Sequence, residues 1–94
     1  MNNYETVILL NSELSKEERN NVILKIREEI SNNGKVEGEE DKGLRKLAYE
    51  IKNNKQAYYY IFEFSSESTF IAELERIFRI TDEILKFIVV RKDD

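Results

Sequence analysis

Apolar positions along this chain repeat with two periods, and the switches between them mark out six segments. Residues 4–10, where Val7, Ile8, Leu9 and Leu10 follow Glu5 in succession, predict a strand covered on part of both faces. Residues 11–14 leave it as a turn. Ser15-Lys16-Glu17-Glu18 has the form of a capping box, in which Ser15 accepts from the third helical N–H and Glu18 reaches back to the cap. Val22, Ile23, Ile26 and Ile30 then recur at helical spacing, with Arg19, Lys25, Arg27, Glu28 and Glu29 mostly on the other faces. Asn33-Gly34 is expected to stop that helix through a left-handed residue.

Residues 35–51 read as a strand interrupted by the acidic run 37–43, which predicts a solvated, mobile hairpin arm. Beyond Gly43, Leu47, Tyr49 and Ile51 alternate with Lys46, Ala48, Glu50 and Lys52, so Leu47 and Tyr49 are expected to share a buried strand face. Asn53-Asn54 is a turn, because both residues tolerate positive φ. Residues 57–64 are rich in aromatic side chains and complete a hairpin. Residues 65–69 offer helix caps, and Phe70, Ile71, Leu74, Ile77 and Phe78 form an amphipathic stripe. Thr81-Asp82-Glu83 breaks the helix. Residues 84–91 close the chain as a strand, with Leu85, Phe87 and Val89 opposite Lys86, Ile88 and Val90.

The order strand, helix, strand, strand, helix, strand is two split βαβ halves joined by a hairpin. Right-handed crossovers put both helices on one face of a four-stranded antiparallel sheet, which is an α+β, ferredoxin-like βαββαβ architecture. The other sheet face is left open. Composition agrees: 94 residues, 40% of them hydrophobic, suit a single domain over residues 1–94.

The chain contains no His and no Cys. That removes disulfides, thiol chemistry, a His general base and the usual zinc, copper and haem ligands, and no cofactor is expected. A carboxylate site for magnesium or calcium remains in principle, but the run Glu37, Glu39, Glu40, Asp41 lacks the alternating ligands of a dedicated calcium loop, so no metal is expected. No apolar run approaches the roughly 18–20 residues of a membrane span. The start lacks the basic region of a secretory signal, so a cytoplasmic protein with no membrane partner is expected. The net charge of −4 argues against attraction of nucleic acid by the whole surface, yet 15 Lys and Arg residues allow a local basic patch.

Tyr58, Tyr59, Tyr60 and Phe62 suggest a base-stacking platform of the kind RNA-recognition domains carry on their central strands. Alternation lets at most half of these rings reach the open face, and packing of Tyr58, Tyr60, Phe62 and Phe64 under the helices is the preferred reading. Catalysis is not expected. Small acyl-phosphate hydrolases of this architecture need an arginine in the loop after the first strand, where this chain places Asn11-Ser12-Glu13-Leu14. No Gly-rich phosphate loop and no activated nucleophile occur.

Gly43-Leu44-Arg45-Lys46-Leu47-Ala48-Tyr49-Glu50-Ile51 resembles the signature of the sixth protein of the bacterial small ribosomal subunit: Gly, any, basic, polar or basic, Leu, Ala, Tyr, any, Ile. The opening Tyr4-Glu5 with its apolar strand and Asn11 is similar to that family's start. So is the close of the chain, from Phe78-Arg79-Ile80 through Asp82-Glu83-Ile84-Leu85-Lys86-Phe87 to Val89-Val90-Arg91. The resemblance implies a structural role on the central domain of small-subunit (16S) ribosomal RNA, together with the small-subunit protein numbered eighteen. It implies a partner-facing sheet edge at Glu40, Arg45 and Lys46, and RNA contacts from Asn2, Asn3, Arg79, Lys86, Arg91 and Lys92. Asn2 and Asn3 stand where the family commonly has basic residues, so they offer hydrogen bonds but no charge. The free protein is expected to be a monomer with no small-molecule substrate. Two other readings stand beside this one: a single-strand RNA binder acting through the aromatic strand, and a ligand-sensing domain that dimerises through its sheet.

Overall fold

The computed structural model describes residues 1–92. It runs β1 (Asn2–Asn11), α1 (Lys16–Asn33), β2 (Gly34–Ile51), β3 (Asn54–Ser66), α2 (Thr69–Ile80) and β4 (Ile84–Arg91). The strands form one antiparallel sheet in the order β2-β3-β1-β4, so β2 and β4 are its edges. This is the ferredoxin-like arrangement that the periodicities predict.

The capping box at the start of α1 is formed: the Glu18 N–H donates to Ser15 Oγ at 3.1 Å, and the Ser15 N–H donates to Glu18 Oε1 at 2.8 Å. Val22, Ile23, Ile26 and Ile30 of α1 and Phe70, Leu74 and Phe78 of α2 join one core. They cover the sheet face made by Tyr4, Ile8 and Leu10 of β1, Phe62 and Phe64 of β3, and Ile84 of β4. Both helices therefore lie on the same face. Tyr58 and Tyr60 pack at its margin, as the core-packing reading of the aromatic strand requires. Each fully buried ring or branched side chain there contributes roughly 1.5–3 kcal/mol. The buried Thr6 hydroxyl avoids an unmet hydrogen bond by donating to the Ile88 carbonyl at 2.8 Å.

Four local expectations are corrected. The acidic run is not a separate mobile arm, because β2 continues through it and pairs with β3 along its length. Gly34 is extended, with φ −179°, and is not left-handed. Glycine is needed there because a Cβ would run into the Ser65 carbonyl oxygen of β3, which pairs alongside. The β2–β3 turn lies one residue early, at Lys52 (φ 49°) and Asn53 (φ 68°), the paired left-handed residues of a tight hairpin turn. Asn54 instead is buried, and its Oδ1 accepts from the Ser12 N–H at 3.0 Å and the Ser12 hydroxyl at 2.6 Å. Finally, Leu85 does not share a face with Phe87 and Val89. Leu9 pairs with Lys86 and Leu10 with Ile84, so Leu85 is an extra residue, and it joins Leu9 and Ala57 on the open face.

Candidate functional site

The open face is built from the odd-numbered residues of β1 and β3. Leu9, Ala57 and Leu85 are buried there by their neighbours Val7, Leu47, Ile51 and Tyr59. Ile88 and Val90, their even-numbered companions on β4, are about half exposed, at 49% and 48%. They leave an apolar strip uncovered beside that cluster. At one end of the strip Glu5 sits directly opposite Glu63, and with Glu40 they line a shallow hollow of about 310 Å³. Like charges facing one another across a sheet repel, and a cation placed between them relieves that repulsion.

Strand β2 carries the three residues expected to face a protein partner. Two extra residues, Glu37 and Lys42, interrupt its pairing with β3. Strict alternation would put Glu40 and Arg45 on opposite faces. The extra Lys42 brings them to the same one: Glu40 pairs with Ile61 and Arg45 with Ala57, both on the open side. Lys46 pairs with Gln56 and points to the other side of the edge. Glu40 makes an ion pair with Lys42 at 3.1 Å, and Arg45 Nε donates to the Lys42 carbonyl at 3.1 Å. All three side chains are thus at an exposed edge.

Glu39 turns the opposite way, toward α1. Arg27 Nε and Nη2 donate to its two oxygens at 2.7 and 2.8 Å, and the Tyr60 hydroxyl donates to Oε1 at 2.6 Å. Those bonds, Arg27's first, hold the Glu39 carboxyl below the usual carboxylate range. Burial, followed by the bond to Glu39, pushes the Tyr60 phenol up. The cluster clamps the acidic segment of β2 against the helix, so its perturbed groups serve structure.

The six residues expected to contact RNA fall into two groups. Asn2, Asn3, Arg91 and Lys92 lie together where β1 begins and β4 ends. Arg91 Nη2 donates to Asn2 Oδ1 at 2.9 Å, the Lys92 N–H donates to the Asn3 carbonyl at 2.7 Å, and Lys92 Nζ is 3.6 Å from Glu5. Arg79 and Lys86 lie near the other end of β4, roughly 15–17 Å away at the rise of a strand. Arg79 is held 5.7 Å over the Phe87 ring and 3.7 Å from Glu75. Lys86 Nζ donates to the Tyr49 hydroxyl at 3.2 Å.

Tyr49 itself corrects the sequence reading. It is 64% exposed and shares no buried face with Leu47. Between Lys46–Gln56 and Ile51–Asn54 the β2 strand holds more residues than β3, so alternation does not carry through the segment. Tyr49 is a surface candidate that the periodicity hid. The aromatic strand places only Tyr59 of its tyrosines on the open face, which removes most of a stacking platform. Among the described residues no group of three Asp, Glu, His or Cys side chains is placed to hold a metal ion. No helix among the described residues is long and apolar enough to cross a membrane.

The sequence profile of the family described as "Ribosomal protein S6" matches residues 3–91. A small ribosomal subunit protein bS6 from Helicobacter acinonychis (strain Sheeba) is 44% identical over 94 residues, covering 99% of this chain and 66% of that relative. The bS6 protein of Thermoanaerobacter pseudethanolicus (strain ATCC 33223 / 39E) is 38% identical over 95 residues, covering 100% of each. The chain therefore spans just under two thirds of the Helicobacter protein and the whole of the Thermoanaerobacter one. The crystal structure of 30S ribosomal protein S6 from Thermotoga maritima superposes with a TM-score of 0.93 at 30% identity, covering 97% of this chain and 87% of that one. A profile spanning nearly every described residue, relatives matched end to end and a shared fold agree: the chain belongs to the ribosomal protein S6 family.

Proposed function

We propose that the chain is a structural component of the small ribosomal subunit that binds the central domain of its RNA jointly with the protein numbered eighteen. The observation that carries this reading is the charged edge of β2, where an extra residue sets Glu40 and Arg45 on the open face while Lys46 flanks them. Exposed charges on an edge strand keep the free protein from pairing with its own copies, and they become specific contacts once a partner covers them. The apolar strip beside that edge supplies buried area, and the opposed Glu5 and Glu63 favour a basic partner. RNA is engaged separately, at the two basic ends of β4. Neither end is large, so RNA affinity depends on the surface completed by the partner protein.

The test is binding to a central-domain RNA fragment with and without the partner, across a salt series. The reading expects weak binding alone, tight binding with the partner, and a log–log salt dependence of a few phosphate contacts. Reversing the edge, as Arg45→Glu with Lys46→Glu, lowers affinity for the partner at least tenfold while thermal melting stays unchanged. RNA binding that ignores both the partner and the reversal sinks it.

A further inference from the structure

The β2–β3 turn, the last turn of α2 and the start of β4 meet around a shallow concavity of about 300 Å³. Three cations line it: Lys52 from the turn, Arg79 from α2 and Lys86 from β4, over an apolar floor that includes Phe87. Lys52 is presented by a fixed piece of backbone. Its own φ of 49° and the 68° of Asn53 close the tight turn. Asn54 then ties that turn down, donating to the Lys52 carbonyl at 3.0 Å while accepting from Ser12 of the β1–α1 loop. The nearby carboxylates are Glu75, paired with Arg79 at 3.7 Å, and those of Asp82 and Glu83 in the loop before β4.

Tyr49 stands beside these cations, with 64% of its surface in water. The Lys86 ammonium donates to its hydroxyl at 3.2 Å and lies 5.8 Å from the ring centroid. A large ring in contact with a cation, with most of its surface bare, offers a stacking plane next to charge.

We infer that Tyr49 stacks an unpaired base of the RNA, while Lys52, Arg79 and Lys86 hold the phosphates that flank it. The inference rests on the RNA-binding reading above and adds to it two residues and a class of target: a single-stranded loop or bulge, whose bases are free to splay out. An aromatic face set beside cations is the combination that single strands require, since every base has a π-face and every nucleotide a phosphate. A protein segment docking on the apolar strip has less use for three cations around one concavity.

The experiment measures RNA-fragment binding, with the partner protein present, for the wild type and for Tyr49→Ala, Tyr49→Phe and Lys52→Asn. Asparagine tolerates the positive φ at position 52, so that variant removes charge without straining the turn. Tyr49→Ala is expected to weaken RNA binding by about 5- to 150-fold with little change in salt slope, while Tyr49→Phe stays within about threefold of wild type. Lys52→Asn is expected to weaken binding of all sequences alike and to lower the salt slope by about one contact. Wild-type affinity in Tyr49→Ala overturns the inference and leaves the ribosomal reading intact. If Tyr49→Ala instead loses affinity for the partner protein with no RNA present, the surface belongs to that protein and the inference falls. Failure of the wild-type chain to bind RNA with or without the partner overturns the RNA-binding reading itself.

Discussion

The two faces of the sheet start from similar residues and end in different roles. Under the helices Phe62 and Phe64 are almost completely buried, and Tyr4 stacks on Phe64 with 5.5 Å between ring centroids. On the other side Val7, Ile61, Ile88 and Val90 follow the same alternation along the same strands, yet Ile88 and Val90 remain half in water. An apolar residue contributes to folding only as far as something in its own chain covers it. The helix-covered face therefore carries most of the stability, while the open face has a small buried cluster at Leu9, Ala57 and Leu85 and leaves Ile88 and Val90 half uncovered.

The contrast is most directly attacked at its strongest point. Phe62→Ala removes a fully buried ring and is expected to cost about 3–5 kcal/mol in urea unfolding. A cost near that of an exposed site would mean that the two faces do not divide the work. A smaller effect is expected at the clamp between helix and edge strand. The folded-state Glu39 carboxyl is lowered, chiefly by its bonds from Arg27, so its stabilisation is present above the ordinary glutamate range and is lost as pH falls through the folded value. Because the Arg27 side chain is 40% exposed, solvent screens the pair, and Glu39→Gln should cost only about 0.5–1 kcal/mol near neutral pH. Stability curves for the two proteins should converge in acid, and a constant gap down to the most acidic pH at which both remain folded would count against the clamp. The smallest change is expected on the open face, where Ile88→Val with Val90→Thr keeps both side chains β-branched and should shift unfolding by no more than about 0.5 kcal/mol per site. A loss of several kcal/mol there would show that the open face is part of the folding core.

Much of this arrangement was legible in the residues, because its causes are local. Ser15 and Glu18 mark a helix start because an apolar run at helical spacing follows them, and Phe70, Leu74 and Phe78 share a helical face without help from the rest of the chain. The features that escaped are set by pairing across strands. Leu85 reaches the open face only because β4 carries one more residue than β1 at that point. Gly34 reads as a helix stop, but its requirement comes from the Ser65 carbonyl alongside it. The acidic run reads as a solvated arm, because nothing nearby in sequence reveals that Arg27 and Tyr60 will meet Glu39. The candidate site was legible to the same degree. The charged residues of β2 fall at an edge, as the strand order implies, whereas the separation of Asn2 and Arg91 from Arg79 and Lys86 and the exposure of Tyr49 depend on register.

The unpaired Glu37 and Lys42 give the acidic segment something like a reading frame. Each extra residue inverts the side of the sheet that every later residue of β2 faces, and two of them restore the original phase. The segment thus carries two residues more than its partner strand requires, while Glu39 within it is fixed by its bonds from Arg27 and Tyr60. Deleting Lys42 would let β2 pair without a break from Gly38 to Lys46 and leave Arg45 opposite Ala57, a shortening that a strand without surplus residues would not tolerate.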